Sequence, residues 1–246
     1  MSNSYFQFKQ FIVHQDRCAM KVTTDACLFG AWVAEENRRQ KIITKIVLDI
    51  GTGTGLLSLM YAQKNSLANI DAIEIDEDAY AQANENVAAS PFAQKINVIH
   101  DDIKGFTFSK KYDCIISNPP FYEKEISSDS EKKNIAHHHS GLLLEELLGI
   151  IKGNLSSSGT FYLLIPFKRN EEIKKIILKQ DLFVSKIVFV KQSIKHSYFR
   201  MMIKGKLKQE DPAETETLIE EVSIWDDQQQ YKEAFKDLLK DYYLYL

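Results

Sequence analysis

The chain has 246 residues, 44% of them hydrophobic and 26% charged, with a formal net charge of −3. These proportions suit a folded globular chain and exclude collagen-like, disordered and disulfide-scaffold classes. No apolar run reaches the ~18–20 residues a membrane helix needs, and the first residues carry no leader pattern. The three cysteines, Cys18, Cys27 and Cys114, are widely spaced with no CxxC pair, which suits a reducing cytoplasmic setting and argues against structural zinc.

In chain order, Phe6, Phe8, Phe11 and Val13 partly alternate with polar neighbours, the mark of a short strand or hairpin. Thr24-Asp25 then reads as the cap of a helix through Glu36. Residues 1–40 are expected to be an N-terminal extension packed on one catalytic domain, 41–246. A short apolar run at 44–50 ends in glycines and reads as a buried strand. A helix over 56–64, a strand over 69–75 and a helix capped by Asp76 follow, the last ended by Pro91. Strands are expected at 96–99 and 112–117, the second stopped by Asn118-Pro119-Pro120. Residues 123–140 are polar and aperiodic, the character of a functional lid or a disordered segment. The pattern resumes with helix 141–153, strand 159–165, helix 169–180 and strands 183–190 and 197–204. The tail, 228–246, reads as a helix closing in aromatics and docked on the core. Alternating strands and helices imply right-handed crossovers. The expected fold is therefore α/β, doubly wound on a mostly parallel sheet of seven strands.

Between Lys168 and Lys208, twelve Lys/Arg stand against three acidic residues, a net +9 in an otherwise acidic chain. Such a segment is either a grip for a polyanion or a solvated face.

Four motifs carry chemistry. In Asp49-Ile50-Gly51-Thr52-Gly53-Thr54-Gly55, between a strand and a helix, glycines let the backbone approach a ligand and the following helix offers free N–H groups. The spacing is G-x-G-x-G, which tells against a pyrophosphate and towards a ligand presenting a carboxylate or amino acid. Glu74, about twenty residues on, can accept both hydroxyls of a ribose, and Ile75 offers an apolar surface to a purine. Asp101 and Asp102 follow the third strand; one of them, with Asp102 favoured, can accept from an exocyclic amine, and either can instead be a turn residue. Asn118-Pro119-Pro120-Phe121 lies at the carboxyl end of the fourth strand, where open α/β sheets bind ligands. There the Asn118 side-chain oxygen and the Pro119 carbonyl can each accept one N–H of a planar amino group, while Phe121 offers a stacking ring. His137-His138-His139 cannot converge on one ion as consecutive residues, so no metal is expected.

Together these motifs resemble a class I S-adenosylmethionine-dependent methyltransferase acting on planar nitrogen, with a Rossmann-like fold. A narrower resemblance, to the bacterial tRNA(Val) adenine-N6 methyltransferase family, rests on Phe8-Lys9-Gln10-Phe11, Asp16-Arg17-Cys18-Ala19-Met20-Lys21-Val22 and Thr24-Asp25. It extends through Glu85-Asn86, Ser90-Pro91 and Ile96-Asn97-Val98 to Tyr231-Lys232-Glu233-Ala234-Phe235 and Tyr242-Tyr243-Leu244. The resemblance implies methylation of the adenine 3′ of the anticodon in tRNA, with S-adenosyl-L-methionine converted to S-adenosyl-L-homocysteine. By matching motif, Asp49, Gly51, Gly53, Gly55, Glu74 and Ile75 would hold the cofactor and Asp102 its adenine, with Thr24 and Asp25 near its methionine end. Asn118, bordering the cofactor, would grip the target base with Pro119 and Phe121. The chain departs from the family pattern at His137, where an Arg is usual, and at Phe121, often Tyr, though Phe keeps the stacking face. Alternatives are a protein glutamine N5-methyltransferase, an rRNA guanine N2-methyltransferase and a catalytically silent RNA-binding protein; a nicotinamide oxidoreductase is disfavoured by the loop spacing. The expected partner is tRNA, with no membrane and no metal, and a chain acting as a monomer, although no motif reads the oligomeric state.

Overall fold

The computed structural model describes residues 3–39, 46–120, 142–208 and 216–246. Phe121 and the segment 123–140, with the three histidines, lie outside the described residues.

The chain opens with a two-stranded antiparallel hairpin, β1 (Tyr5–Gln7) and β2 (Ile12–His14). Helix α1 (Thr24–Arg39) follows, with Asp25 in its first turn and every residue from Asp25 to Ala34 buried. It begins at Thr24 and runs three residues beyond the expected end at Glu36. Strand β3 (Ile46–Ile50) leads through the glycine loop into α2 (Leu56–Lys64), which is buried from Leu56 to Ala62 because it lies between the sheet and α1. β4 (Asn69–Glu74) and α3 (Glu77–Ala88) come next, and the Asp76 carboxylate accepts from the Ala79 N–H as the expected N-cap. β5 (Ile96–His100), β6 (Tyr112–Ser117), α4 (Leu144–Asn154), β7 (Leu155–Pro166) and α5 (Asn170–Lys179) continue the alternation. The chain closes with β8 (Leu182–Ser193), β9 (Tyr198–Leu207), β10 (Leu218–Trp225) and α6 (Glu233–Leu239).

The main sheet runs β10-β8-β9-β7-β6-β3-β4-β5. Every neighbouring pair is parallel except those made by β9, which is antiparallel to both β7 and β8. The seven expected strands are all present, and an eighth, β10, extends the sheet beyond β8. Side chains alternate between two cores, as strand geometry requires. One joins the sheet to α1, α2, α3, α6 and the hairpin; the other joins it to α4 and α5. The tail packs as expected: Tyr242 is fully buried with its hydroxyl donating to the Met60 carbonyl, and Phe8 pairs with Tyr243. Its helix, however, covers only seven residues.

Because β3, β4, β5, β6 and β7 all point the same way, their carboxyl ends form one edge. The order of β5, β4, β3 and β6 places the chain reversal between β3 and β6, the position at which open sheets leave a crevice.

Candidate functional site at the carboxyl edge of the sheet

The glycine loop leaves β3 with three left-handed residues: φ is +70° at Gly51, +57° at Gly53 and +82° at Gly55. A side chain would strain each of them. A Cβ built on Gly51 or Gly53 meets nothing within 4 Å, so both glycines border open space. The loop is pinned from below by the Gly51 and Thr52 N–H groups, which donate to the Ile73 carbonyl at 2.9 and 3.1 Å.

Asp49 sits beneath this loop with no exposed surface. Its Oδ2 accepts from Thr52 Oγ1 and Ser58 Oγ, each at 2.7 Å. Its Oδ1 is buried and has no hydrogen-bond partner among the described residues. Burial pushes the carboxyl pKa up to about 6 despite the two hydroxyl donors, with the nearby Glu74 charge adding to the rise.

Glu74 ends β4, as expected, and reaches the loop directly: its Oε2 accepts from the Gly53 N–H at 2.8 Å. Its Oε1 accepts from the Ile75 and Asp76 N–H groups at 2.9 and 3.0 Å. Ile75 beside it is 55% exposed, an uncovered apolar surface at the edge. Asp101 and Asp102 follow β5, and the Asp101 N–H donates to the Glu74 carbonyl. Both carboxylates also make local turn bonds, Asp101 Oδ1 with the Asp102 N–H and Asp102 Oδ1 with the Lys104 N–H.

Asn118 and Pro119 follow β6, half-buried and buried respectively. Ser117, immediately before them, pairs in register with Ile50 and donates its hydroxyl to the Ile50 carbonyl at 2.8 Å. That tie sets the start of the Asn-Pro-Pro segment beside the start of the glycine loop.

Thr24 and Asp25 open α1. Asp25 is not in hydrogen-bonding contact with the loop among the described residues; its Oδ2 instead accepts from Arg200 Nε on β9 at 2.7 Å. Arg200 was visible in sequence only as one charge of the basic segment, because its partner lies 175 residues away. Asn86 on α3 is a second residue whose part the sequence did not reveal. Its amide nitrogen donates to the carbonyls of His14 and Thr54 at 2.8 and 2.9 Å, and its oxygen accepts from the His14 N–H, so it ties the hairpin to the glycine loop. Its presence in the quoted Glu85-Asn86 pair was the one available signal.

The basic segment is less free than its count suggests. Lys186 and Lys204 both pair with Glu36, Lys186 also with Glu220, and Lys191 with Glu221. Arg169, just before α5, and Lys174 within it pair with Glu172 and Glu171 of that helix. The thiols are buried, which pushes Cys18 up to about 11 and Cys27 to about 12, so neither offers a thiolate near neutral pH. No cluster of metal-ligating side chains occurs among the described residues, and no described helix is long and apolar enough to cross a membrane.

An open cradle over two glycines, a buried carboxylate oxygen lacking a donor and an acidic strand end fit a small ligand with a cationic centre and a ribose. Comparisons with known proteins agree with that fit. A family model described as the methyltransferase small domain matches residues 34–149. The chain is 38% identical over 247 residues, covering 100% of both chains, to a protein of Bacteroides thetaiotaomicron named tRNA1(Val) (adenine(37)-N6)-methyltransferase. It is 51% identical over 164 residues to a protein of the same name from Dyadobacter fermentans, covering 67% of this chain and 66% of that one. Among solved structures it resembles one from Listeria monocytogenes described as a class I S-adenosylmethionine-dependent methyltransferase. The TM-score is 0.63 at 15% identity, over 85% of this chain and 67% of that one.

Proposed function

The chain belongs to the family of tRNA1(Val) (adenine(37)-N6)-methyltransferases, and we propose that it methylates the exocyclic N6 of adenine 37 in a valine tRNA, with S-adenosylmethionine as donor. The observation that carries this reading is the placement of Asn118-Pro119 next to the glycine loop through the Ser117–Ile50 tie. Full-length relatives of one name stand against the glutamine, guanine and catalytically silent alternatives.

When bound, S-adenosylmethionine supplies a methyl group already activated on a sulfonium sulfur. Asp49, Gly51, Gly53, Gly55, Glu74, Ile75 and Asp102 are the residues that would hold it, with Thr24 near its methionine end and Asn118 bordering it. Glu74, whose Oε2 accepts from the Gly53 N–H, would accept the ribose hydroxyls. Asp49, buried beneath the loop, would supply negative charge towards a cationic ligand, an attraction that low-polarity surroundings strengthen.

The remaining chemistry is positioning. The N6 lone pair of adenine is delocalised into the ring and is a poor nucleophile. Asn118 Oδ1 and the Pro119 carbonyl each accept one N–H of that amino group, which frees the pair to point at the methyl. By the motif, Phe121 would offer a ring to stack on the base. The protein needs no nucleophilic side chain and no metal for this task, only geometry held in advance. The anticodon-loop adenine costs less to unstack than one in a duplex.

The test is Asn118→Ala. It should leave the dissociation constant for S-adenosylmethionine within about twofold, by calorimetry, and cut turnover on tRNA by about a thousandfold or more, the size expected when the groups that orient a reactant are lost. Full turnover in this variant would refute the assignment.

A further inference from the structure

Helix α1 is tied to strand β9 at two places. Near its C-terminus, Glu36 pairs with Lys204 at 2.8 Å; at its N-terminus, Asp25 pairs with Arg200 at 2.7 Å. The two ties differ in what they leave over. The Lys204 and Glu36 side chains are 17% and 16% exposed, a largely enclosed pair. At the other end the Asp25 side chain is 11% exposed while that of Arg200 is 35% exposed. A guanidinium carries five N–H donors. Among the described residues, Arg200 engages one of them, Nε, on Asp25.

Register places the backbone of this half-buried Arg200 at the catalytic edge. Ser117 pairs with Leu163, Leu163 with Ile203, and Pro166, the last residue of β7, with Arg200. With strands about 4.8 Å apart and about 3.3 Å per residue, the backbone of Arg200 lies roughly 12 Å from that of Asn118, on the side away from Glu74. It also opens on the same face: Cys114 and Ile116 of β6 and Met202 of β9 pack into the α1–α2 core, and Arg200, two residues before Met202, reaches α1. Asp49, the three glycines, Glu74, Ile75 and Asp102 lie on the β3–β4–β5 side of Asn118, which leaves the β7 and β9 side for the rest of a nucleotide whose base Asn118 would hold.

We infer that Arg200, aimed by Asp25, binds a backbone phosphate of the target nucleotide. This assignment rests on the reading of the chain as an RNA adenine methyltransferase. A guanidinium whose Nε is fixed by a buried carboxylate presents its two terminal nitrogens as a fork, the geometry that suits two phosphate oxygens. On this assignment Asp25, which the resemblance put near the methionine end of the cofactor, acts as a positioning residue for Arg200.

The experiment compares Arg200→Gln, Arg200→Lys, Asp25→Asn and Lys204→Gln by four measurements: melting temperature, S-adenosylmethionine dissociation constant, kcat and KM on tRNA, and the salt dependence of kcat/KM. Arg200→Gln should raise KM for tRNA about tenfold, leave cofactor affinity within twofold, and flatten the slope of log kcat/KM against log salt by about 0.7, the loss of one phosphate contact on single-stranded RNA. Arg200→Lys and Asp25→Asn should each raise KM by less while keeping the wild-type slope, because the charge stays and only its aim is lost. Lys204→Gln breaks the equivalent tie between the same two elements, so it should lower the melting temperature without moving KM or slope. Weakened cofactor binding with unchanged KM for tRNA in Arg200→Gln would overturn the assignment and place the pair in the cofactor pocket. An unchanged KM and slope in both Arg200→Gln and Lys204→Gln would overturn it in favour of a simple strut. The wild-type control separates the two levels of failure: no methyl transfer to tRNA there overturns the functional reading itself, before any variant is compared.

Discussion

A carboxylate with no exposed surface, two hydroxyl donors on one oxygen and, among the described residues, no hydrogen-bond partner on the other is poorly solvated when ionised, and Asp49 is raised to about 6 for that reason. In an unfolded chain the same group titrates near ~3.9. Between those values the folded chain binds more protons than the unfolded one. Stability contributed by this group is therefore present below about pH 4 and lost as pH rises through about 6, on the order of 2–3 kcal/mol in all. Asn in its place can keep the two hydroxyl bonds without the charge. Asp49→Asn should then melt higher than wild type at pH 7.5, with the difference vanishing near pH 4, and bind S-adenosylmethionine at least about tenfold more weakly. A variant that melts lower at pH 7.5 and binds the cofactor normally would contradict this account. At this scale the sequence was informative where spacing is local. Glu74 reaches Gly53 across 21 residues because consecutive parallel strands bring their ends together. Asp25 and Asn86 acquired partners through tertiary packing across 175 and 72 residues, which no local pattern encodes.

Two glycines show how differently the same substitution acts on different elements. Gly205 lies in β9, where a Cβ would stand 2.3 Å from Phe161 Cζ and 2.7 Å from the Phe183 carbonyl oxygen. Phe161 is fully buried, so its ring has nowhere to move. Gly205→Ala should destabilise the fold by about 3 kcal/mol, read as a lower denaturant midpoint. In the site loop, a Cβ on Gly51 meets nothing but carries the strain of φ +70°, which costs roughly 1–2 kcal/mol. Gly51→Ala should therefore lose less stability than Gly205→Ala but far more cofactor affinity, and the reverse order would contradict the placement of the cradle. The strand left unread was β10. Its Leu-Ile-Glu-Glu-Val-Ser-Ile-Trp exposes the first four residues and buries only Val222 and Ile224, because it lies at the sheet edge, paired only with β8 among the described residues. Alternation is faint in such a strand. β7 likewise starts at Leu155, four residues before the expected start at 159, because Ser156–Ser158 carry no apolar run and fall where the register to β6 shifts between the Tyr112–Leu155 and Cys114–Thr160 pairs.

For the whole molecule, charge is organised as internal ties more than as a uniform basic face. The fold brings Glu36, Glu220, Glu221 and Asp25 from outside the basic segment onto Lys186, Lys204, Lys191 and Arg200. The net +9 was legible, but its neutralisation was not, since the partners come from α1 and β10. The salt dependence of tRNA methylation should accordingly be real but shallow, with a log–log slope for kcat/KM no steeper than about −3; a slope near −8 would show that most of these pairs open to hold RNA. Beneath all of this stands the claim that the Asn118 edge acts on one adenine. The most direct measurement offers the enzyme and S-adenosylmethionine two unmodified valine tRNA transcripts, one natural and one with adenine 37 replaced by guanine, and reads the nucleosides by mass spectrometry. The account predicts N6-methyladenosine in the first transcript and none in the second. Equal methylation of both, or methyl groups found only on guanine or on protein, would contradict it.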